Sequence, residues 1–255
     1  PLKSSDRTKL RRIALNQQGL LKADTFGRGP AGALNAIEHI GYVQIDTISV
    51  VERAHHHVFR SRVANYEPAH LDQLVAKRKV FEYWSHAASW LPMRDYRFAL
   101  PRMQAIRSGD IEWMSEPNPK LQKQSLKRIR EEGPLMSKDF KDTRKGSRGW
   151  WDWKPAKREL DRLFMQGDLM VRHRIGFQKV YDLPERVLPE NLDTTQPSTQ
   201  ELASHLIETQ LRAHGSVTYA MITYLRKGNA LRAAVREELR ARTDAGVLTE
   251  LQLEG

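Results

Sequence analysis

The sequence predicts a mainly α fold with small β-hairpins, an α+β chain made of tandem winged helix-turn-helix units. A repeated spacing points there first. An apolar residue seven positions before a glycine, and another two after it, recur at Leu34, Gly41 and Val43, at Leu160, Gly167 and Leu169, and at Leu239, Gly246 and Leu248. This is the pattern of a helix whose apolar face ends at a C-terminal glycine and runs directly into a strand. A second correspondence lies upstream, where Ile129, Gly133 and Leu135 match Leu211, Gly215 and Val217. Each is followed by a short amphipathic segment, Ser137–Phe140 in one case and Tyr219–Leu225 in the other. Finally, Leu169–Ile175 and Phe177–Leu183 are two strand-like runs about Gly176, a hairpin signal. Helix, glycine turn, short helix, longer helix and hairpin is the order of a winged helix-turn-helix.

Three units follow in chain order. The first, residues 1–115, carries the Leu34–Gly41–Val43 element and an insertion over Glu52–Gly109 that reads as mostly helical, with Pro68, Pro92 and Pro101 as breakers. Ser115–Lys120, with two prolines, links it to the second unit, residues 116–187, where the hairpin is clearest. Pro184–Ser198, with three prolines, links that to the third unit, residues 188–255, which keeps only a first wing strand before Gly255.

Composition bounds the function class. The 255 residues hold 42 Lys+Arg against 31 Asp+Glu, a formal net charge of +11. Sustained positive charge attracts polyanions, and nucleic acid is the default polyanion. The absence of cysteine excludes disulfides, Cys-ligated zinc, iron–sulfur clusters and a thiol nucleophile. No run approaches the ~20 apolar residues of a membrane span, and the residues from Pro1 to Arg7 lack the apolar region of a secretory signal. The expectation is a soluble, cytoplasmic protein, monomeric and without a membrane partner. Neither a phosphate-binding P-loop, a dinucleotide fingerprint nor a nucleophile elbow occurs, so those chemistries have no support.

Candidate chemistry clusters in a few places. Tyr42-Val43-Gln44-Ile45-Asp46-Thr47-Ile48 alternates as a strand, which puts Gln44 and Asp46 on one face with Cα atoms ~7 Å apart. Such a carboxamide and carboxylate can hold a water or a sugar edge between them; a solvated strand face is the plain alternative. Glu52, His55, His56 and His57 invite a metal reading, but adjacent histidines cannot all face one ion and no zinc-ligand spacing appears. Helix surface or substrate contact suits them better, with Arg60 and Arg62 as phosphate contacts or solvated charges. Phe81-Glu82-Tyr83-Trp84-Ser85-His86 reads either as a buried anchor or as a wall against which a base stacks, with Glu82 or His86 as hydrogen-bonding partner. The Arg148-Gly149-Trp150-Trp151-Asp152-Trp153 run is similarly a core plug or a DNA-facing patch, the plug being favoured for Trp150 and Trp153.

Three stretches together resemble the AlkZ/YcaQ (AlkX-like) family of bacterial winged-helix DNA glycosylases. They are Gln44-Ile45-Asp46-Thr47-Ile48-Ser49-Val50-Val51-Glu52-Arg53-Ala54, Phe81-Glu82-Tyr83-Trp84-Ser85-His86-Ala87 and Gly176-Phe177-Gln178-Lys179-Val180-Tyr181-Asp182-Leu183-Pro184-Glu185-Arg186-Val187. Ordered matches run from about Leu10 to Val187 and loosen beyond. Family members continue past a third winged helix into a further C-terminal segment, so the resemblance implies that part of the DNA clamp lies outside this chain.

The resemblance implies a monofunctional, metal-independent glycosylase without cofactor. Its substrate would be double-stranded DNA carrying N7-alkylated purines or interstrand crosslinks, and its location the bacterial nucleoid. Gln44-Ile45-Asp46 fits the family's Gln-Φ-Asp catalytic form. Asp46 is then assigned to electrostatic stabilisation and water activation, and Gln44 to orienting the water or deoxyribose. With no lysine in that segment, no Schiff-base lyase step is expected, and crosslinked bases require an open, shallow site. Glu82, Tyr83, Trp84 and His86 would line the substrate pocket. Arg53, His55, His56, Arg60, Arg62, Arg148, Arg172, Arg174 and Lys179 would contact DNA. The main rival is a non-catalytic winged-helix DNA-binding regulator, for which Asp46→Asn leaves function intact. A nuclease using a metal held by Asp46, Glu52 and His55 is a third reading.

Overall fold

A computed structural model describes residues 4–113, 116–141, 153–226 and 228–252. In chain order the helices are α1 (Ser4–Gln17), α2 (Gly29–Ile40), α3 (Ala54–Arg60), α4 (Pro68–Ala76), α5 (Leu100–Ser108) and α6 (Pro119–Glu132), followed by α7 (Pro155–Met165), α8 (Pro184–Val187), α9 (Thr199–His214), α10 (Tyr219–Ile222) and α11 (Asn229–Asp244). The strands are β1 (Val43–Gln44), β2 (Val80–Trp84), β3 (Ala88–Pro92), β4 (Leu135–Met136), β5 (Met170–Ile175) and β6 (Gln178–Asp182). Short 3-10 helices cover Met93–Ala99 and Ser137–Asp139. The fold is thus mixed α/β, mainly helical with small antiparallel sheets, as the sequence predicts. No helix among the described residues is long and apolar enough to cross a membrane.

The chain packs as two compact units, each discontinuous in sequence. One comprises Pro1–Leu71, Ser85–Pro92 and Thr195–Gly255; the other comprises Asp72–Trp84 and Met93–Thr194. These are not the three consecutive segments read from local spacing. The physical reason in the first unit is α9, which packs against both α1 and α2 and so joins the last segment to the first. The insertion also departs from expectation. It contains β2 and β3 around Ser85–Ala87 as well as helices, because Val80-Phe81-Glu82-Tyr83-Trp84 is dense in β-branched and aromatic residues.

In the first unit, α2 ends at Gly41, whose φ of 87° lies in the left-handed region and whose N–H caps Ile37 O. A Cβ there would also overlap the Thr209 methyl on α9, so glycine is required by both conformation and contact. The turn delivers the chain into β1, antiparallel to β3 with Val43 opposite Trp90 and Gln44 opposite Ser89. Behind it, Ala203, Leu206 and Ile207 of α9 pack with Ile222, Ala234 and Val235 of α10 and α11. Ser198 and Glu201 form a reciprocal capping box at the start of α9, satisfying two otherwise orphaned N–H groups.

The second unit is built on α7, almost entirely buried from Glu159 to Met165. Its glycine exit, at Gly167, leads into β5, and the three-stranded sheet runs in the order β4-β6-β5. Pairing skips from Val171 to His173, so Arg172 is the extra residue of a bulge. The Pro184–Ser198 segment, read as a linker, is anchored at its start. Arg186 donates to the Ile129 and Arg130 carbonyls, and Arg78 donates to the Arg186 and Leu188 carbonyls.

Candidate functional site

The alternation of the Gln44–Asp46 stretch survives as geometry. Val43 and Ile45 are buried, while Gln44 is exposed and Asp46 half-buried. Pairing continues one residue beyond β1, since Ile45 N donates to Ala88 O at 2.8 Å. That bond holds the strand face rigid through the two polar residues.

Each polar side chain then has a local anchor. Gln44 Oε1 lies 3.1 Å from His86 Nε2. With Nε2 protonated, His86 donates to the carboxamide oxygen and leaves the Gln44 NH2 as a donor toward a ligand. The His86 ring is itself set edge-on against Tyr42, with centroids 5.2 Å apart. Burial pushes the Tyr42 phenol above its ordinary range, so it stays a neutral hydrogen-bonding group. Asp46 Oδ1 accepts from Ile48 N at 2.8 Å, an Asx-type turn that fixes the carboxylate plane. Its backbone N–H points at His55 Nδ1 across 3.4 Å, a weak contact.

The sequence therefore brings Gln44, Asp46, His55 and His86 together in the first unit. His55 supports the strand from beneath, being buried, rather than facing outward. His56 is hydrogen-bonded through Nδ1 to Tyr66 Oη at 2.9 Å. Arg53 donates from Nη1 to Thr47 O at 2.8 Å, bracing the loop after the motif. Glu52 accepts from Arg53 N, which holds its carboxyl below the usual range. Arg60 is exposed at the end of α3. Arg62 is not. It is buried, and its guanidinium donates to Gln18 O, Gln18 Oε1 and Val58 O. Its five donors suit that role of tying α1 to α3, because backbone carbonyls surround it where a phosphate would have to enter.

In the second unit, Glu82 and Tyr83 are buried, and their partners are internal. Arg174 forms a two-pronged ion pair with Glu82, at 2.8 Å and 2.7 Å, and Lys179 approaches the same carboxylate at 3.8 Å. Lys179 also meets Asp161 at 3.1 Å, and Asp161 accepts from Tyr181 Oη at 2.7 Å. Burial, then the Asp161 carboxylate, raises the Tyr181 phenol well above its ordinary range. Tyr83 donates to Met165 O at 2.7 Å. The hairpin cations thus neutralise buried acids, as does Arg172, which pairs with Asp182 at 3.0 Å while staying half-exposed. Trp84 lies edge-on to Trp113, with the Arg102 guanidinium 5.9 Å from its ring. Arg148, Trp150 and Trp151 lie outside the described residues. Among the described residues no three His, Asp or Glu side chains group as a metal site.

One cationic row escaped the sequence reading. Lys120, Lys123, Lys127 and Arg130 recur every three or four residues along α6 and are all exposed. The same helix face borders an open depression of about 460 Å³ lined by Gln122, Lys123, Leu126, Lys127 and Arg130. The signal was present as helical charge spacing.

Comparison with known proteins follows the same lines. The family model described as DNA glycosylase AlkZ-like matches residues 37–255. Among solved structures, the Streptomyces sahachiroi DNA glycosylase AlkZ superposes with a TM-score of 0.62 at 15% identity, covering 92% of this chain and 65% of that one. This chain therefore spans about 65% of the length of that structure, and at such identity the likeness is one of fold. With the family model extending over both units and including Gln44, Asp46 and His86, the chain belongs to the AlkZ-like family of DNA glycosylases.

Proposed function

We propose that this chain hydrolyses the N-glycosidic bond of N7-alkylated purines in double-stranded DNA, including the unhooking of interstrand crosslinks, without metal or cofactor. The observation that carries this reading is the pairing of Gln44, held by His86, with Asp46, held by Ile48 N, on one open strand face. An N7-alkylguanine is already cationic, so its C1′–N9 bond breaks with the electron pair going to the base and needs little acid assistance. Positive charge develops on the sugar instead. A fixed carboxylate at Asp46 stabilises that oxocarbenium-like centre and takes the proton of the attacking water. The Gln44 carboxamide orients the water or the deoxyribose. With no lysine between Gln44 and Asp46, the base leaves without a Schiff base forming there, and the abasic sugar remains in the intact strand.

The helix, glycine turn, short helix and hairpin order from α6 to β6 supports a winged-helix module as part of the DNA-binding framework. Its exposed cations on α6, with Arg60 and the half-exposed Arg172, are the phosphate contacts we assign.

The test uses one duplex with a single N7-methylguanine and one with a nitrogen-mustard-type crosslink, each with and without excess chelator. Wild-type protein should release free base, with strand breaks appearing only after alkali. Strand breaks before alkali that chelator abolishes would mean a nuclease. Tight binding without base release would mean a regulator.

A further inference from the structure

The loop that leaves the motif has an unusual surface. Ile48, Val50 and Val51 are 70%, 90% and 89% exposed, three aliphatic side chains within four residues. Single exposed aliphatics are ordinary, whereas a contiguous cluster marks a contact surface. The loop is also braced. Ser49 and Arg53 form an antiparallel bridge, which leaves Val50 and Val51 at the tip of a tight turn. Arg53 Nη1 donates to Thr47 O, Arg53 N donates to Glu52 Oε1, and His57 Nε2 contacts Glu52 O at 3.2 Å. Polar bonds thus fix the base of the loop while its apex remains apolar.

Position supplies the occupant. Ile48 N is bonded to Asp46 Oδ1, so the carboxylate is tied to the start of the loop. At ~3.3 Å per extended residue, Val50 lies within roughly 13 Å of Asp46, a distance of a few stacked base pairs. Arg60, exposed on the following helix, adds a cation that acts on Glu52, the residue after Val51. Apolar wedges inserted at a base step unstack it and kink the duplex. Aliphatic groups of this size displace a neighbour without offering a stacking surface of their own.

We infer that Val50 and Val51, backed by Ile48, form a wedge that enters the base step beside the damaged nucleotide and opens it toward Gln44 and Asp46. The inference rests on the glycosylase reading above and deepens it, since an open site still has to separate the scissile bond from the stack.

The wedge is tested with the full chain and a Val50→Ser, Val51→Ser double variant, whose exposed positions leave packing untouched. The probe is 2-aminopurine placed next to N7-methylguanine in a duplex. Saturating wild-type protein should raise its fluorescence, and the double variant should lower that rise at least about fivefold. Base release by the variant should fall about tenfold when the lesion is paired with cytosine. The deficit should shrink to about twofold when the lesion faces an abasic gap, because the stack there is already weakened. Equal fluorescence and equal release by the two proteins would overturn the wedge. No fluorescence rise with wild type would overturn it as well, and self-association lost in the variant would then identify a second copy as what covers the tip. If wild type raises fluorescence yet releases no base from any substrate, the glycosylase reading fails while the wedge stands.

Discussion

At the scale of single residues, Asp46 and Glu82, two of the acids singled out in the sequence, have opposite environments, and this separates their roles. Asp46 is half-buried, with one oxygen tied to a backbone N–H, on the strand face opposite buried Val43 and Ile45. Glu82 has a fully buried side chain in the grip of Arg174 and Lys179. Removing the Glu82 charge leaves Arg174 without its acid, while Lys179 keeps Asp161, and breaking a buried pair in this way costs about 3–5 kcal/mol. Glu82→Gln should therefore lower the denaturation midpoint markedly while leaving the turnover of the remaining folded protein within a few fold. A variant with wild-type stability and lost activity would instead place Glu82 at the substrate. The sequence could not separate these cases, because ion pairing with Arg174 spans 92 positions and leaves no local signature. The Gln44–Asp46 alternation was legible for the opposite reason, since strand period alone sorts buried Val43 and Ile45 from the polar pair.

At the scale of elements, glycine-ended helices were the most readable feature. α2 and α7 each run through a left-handed glycine into a strand, because a helix terminated in that conformation reverses the chain within two residues. Gly41 adds a contact that spacing cannot show, the approach of its α-carbon to Thr209. Gly41→Ala should destabilise the protein by more than the ~1 kcal/mol of backbone strain alone, through overlap with the Thr209 methyl. Adding Thr209→Ala should recover part of that loss, a coupling that two independent sites would not show. Urea melts of the four proteins in this cycle measure it. The strands β2 and β3 were missed inside a segment read as helical, since Pro68, Pro92 and Pro101 suggested helix breaks more strongly than the short aromatic run suggested pairing.

At the scale of the whole molecule, the division into two discontinuous units changes what a truncation should do. Three consecutive modules would tolerate loss of the last one. Here α9 carries Ala203, Leu206 and Ile207 into a core that includes α10 and α11, and it packs on α1 and α2. A chain ending at Thr194 should expose the α2 residues Ala33, Ala36 and Ile37, which are fully buried in the intact protein. Limited proteolysis should then cut within residues 4–71 while sparing the second unit. Equal protection of both regions would favour autonomous modules. No local pattern discloses such packing, because it depends on surfaces brought together from opposite ends of the chain.

The same scale governs activity, because a fold and a basic surface are shared by binders and enzymes alike. Only the reacting groups distinguish them. Single-turnover release of N7-methylguanine, at protein concentrations that saturate the duplex, isolates the chemical step from DNA affinity. The account predicts that Asp46→Asn binds the duplex as tightly as wild type but releases base about 100- to 1,000-fold more slowly, the scale of losing one preorganised electrostatic group. Release at the wild-type rate by Asp46→Asn would contradict it.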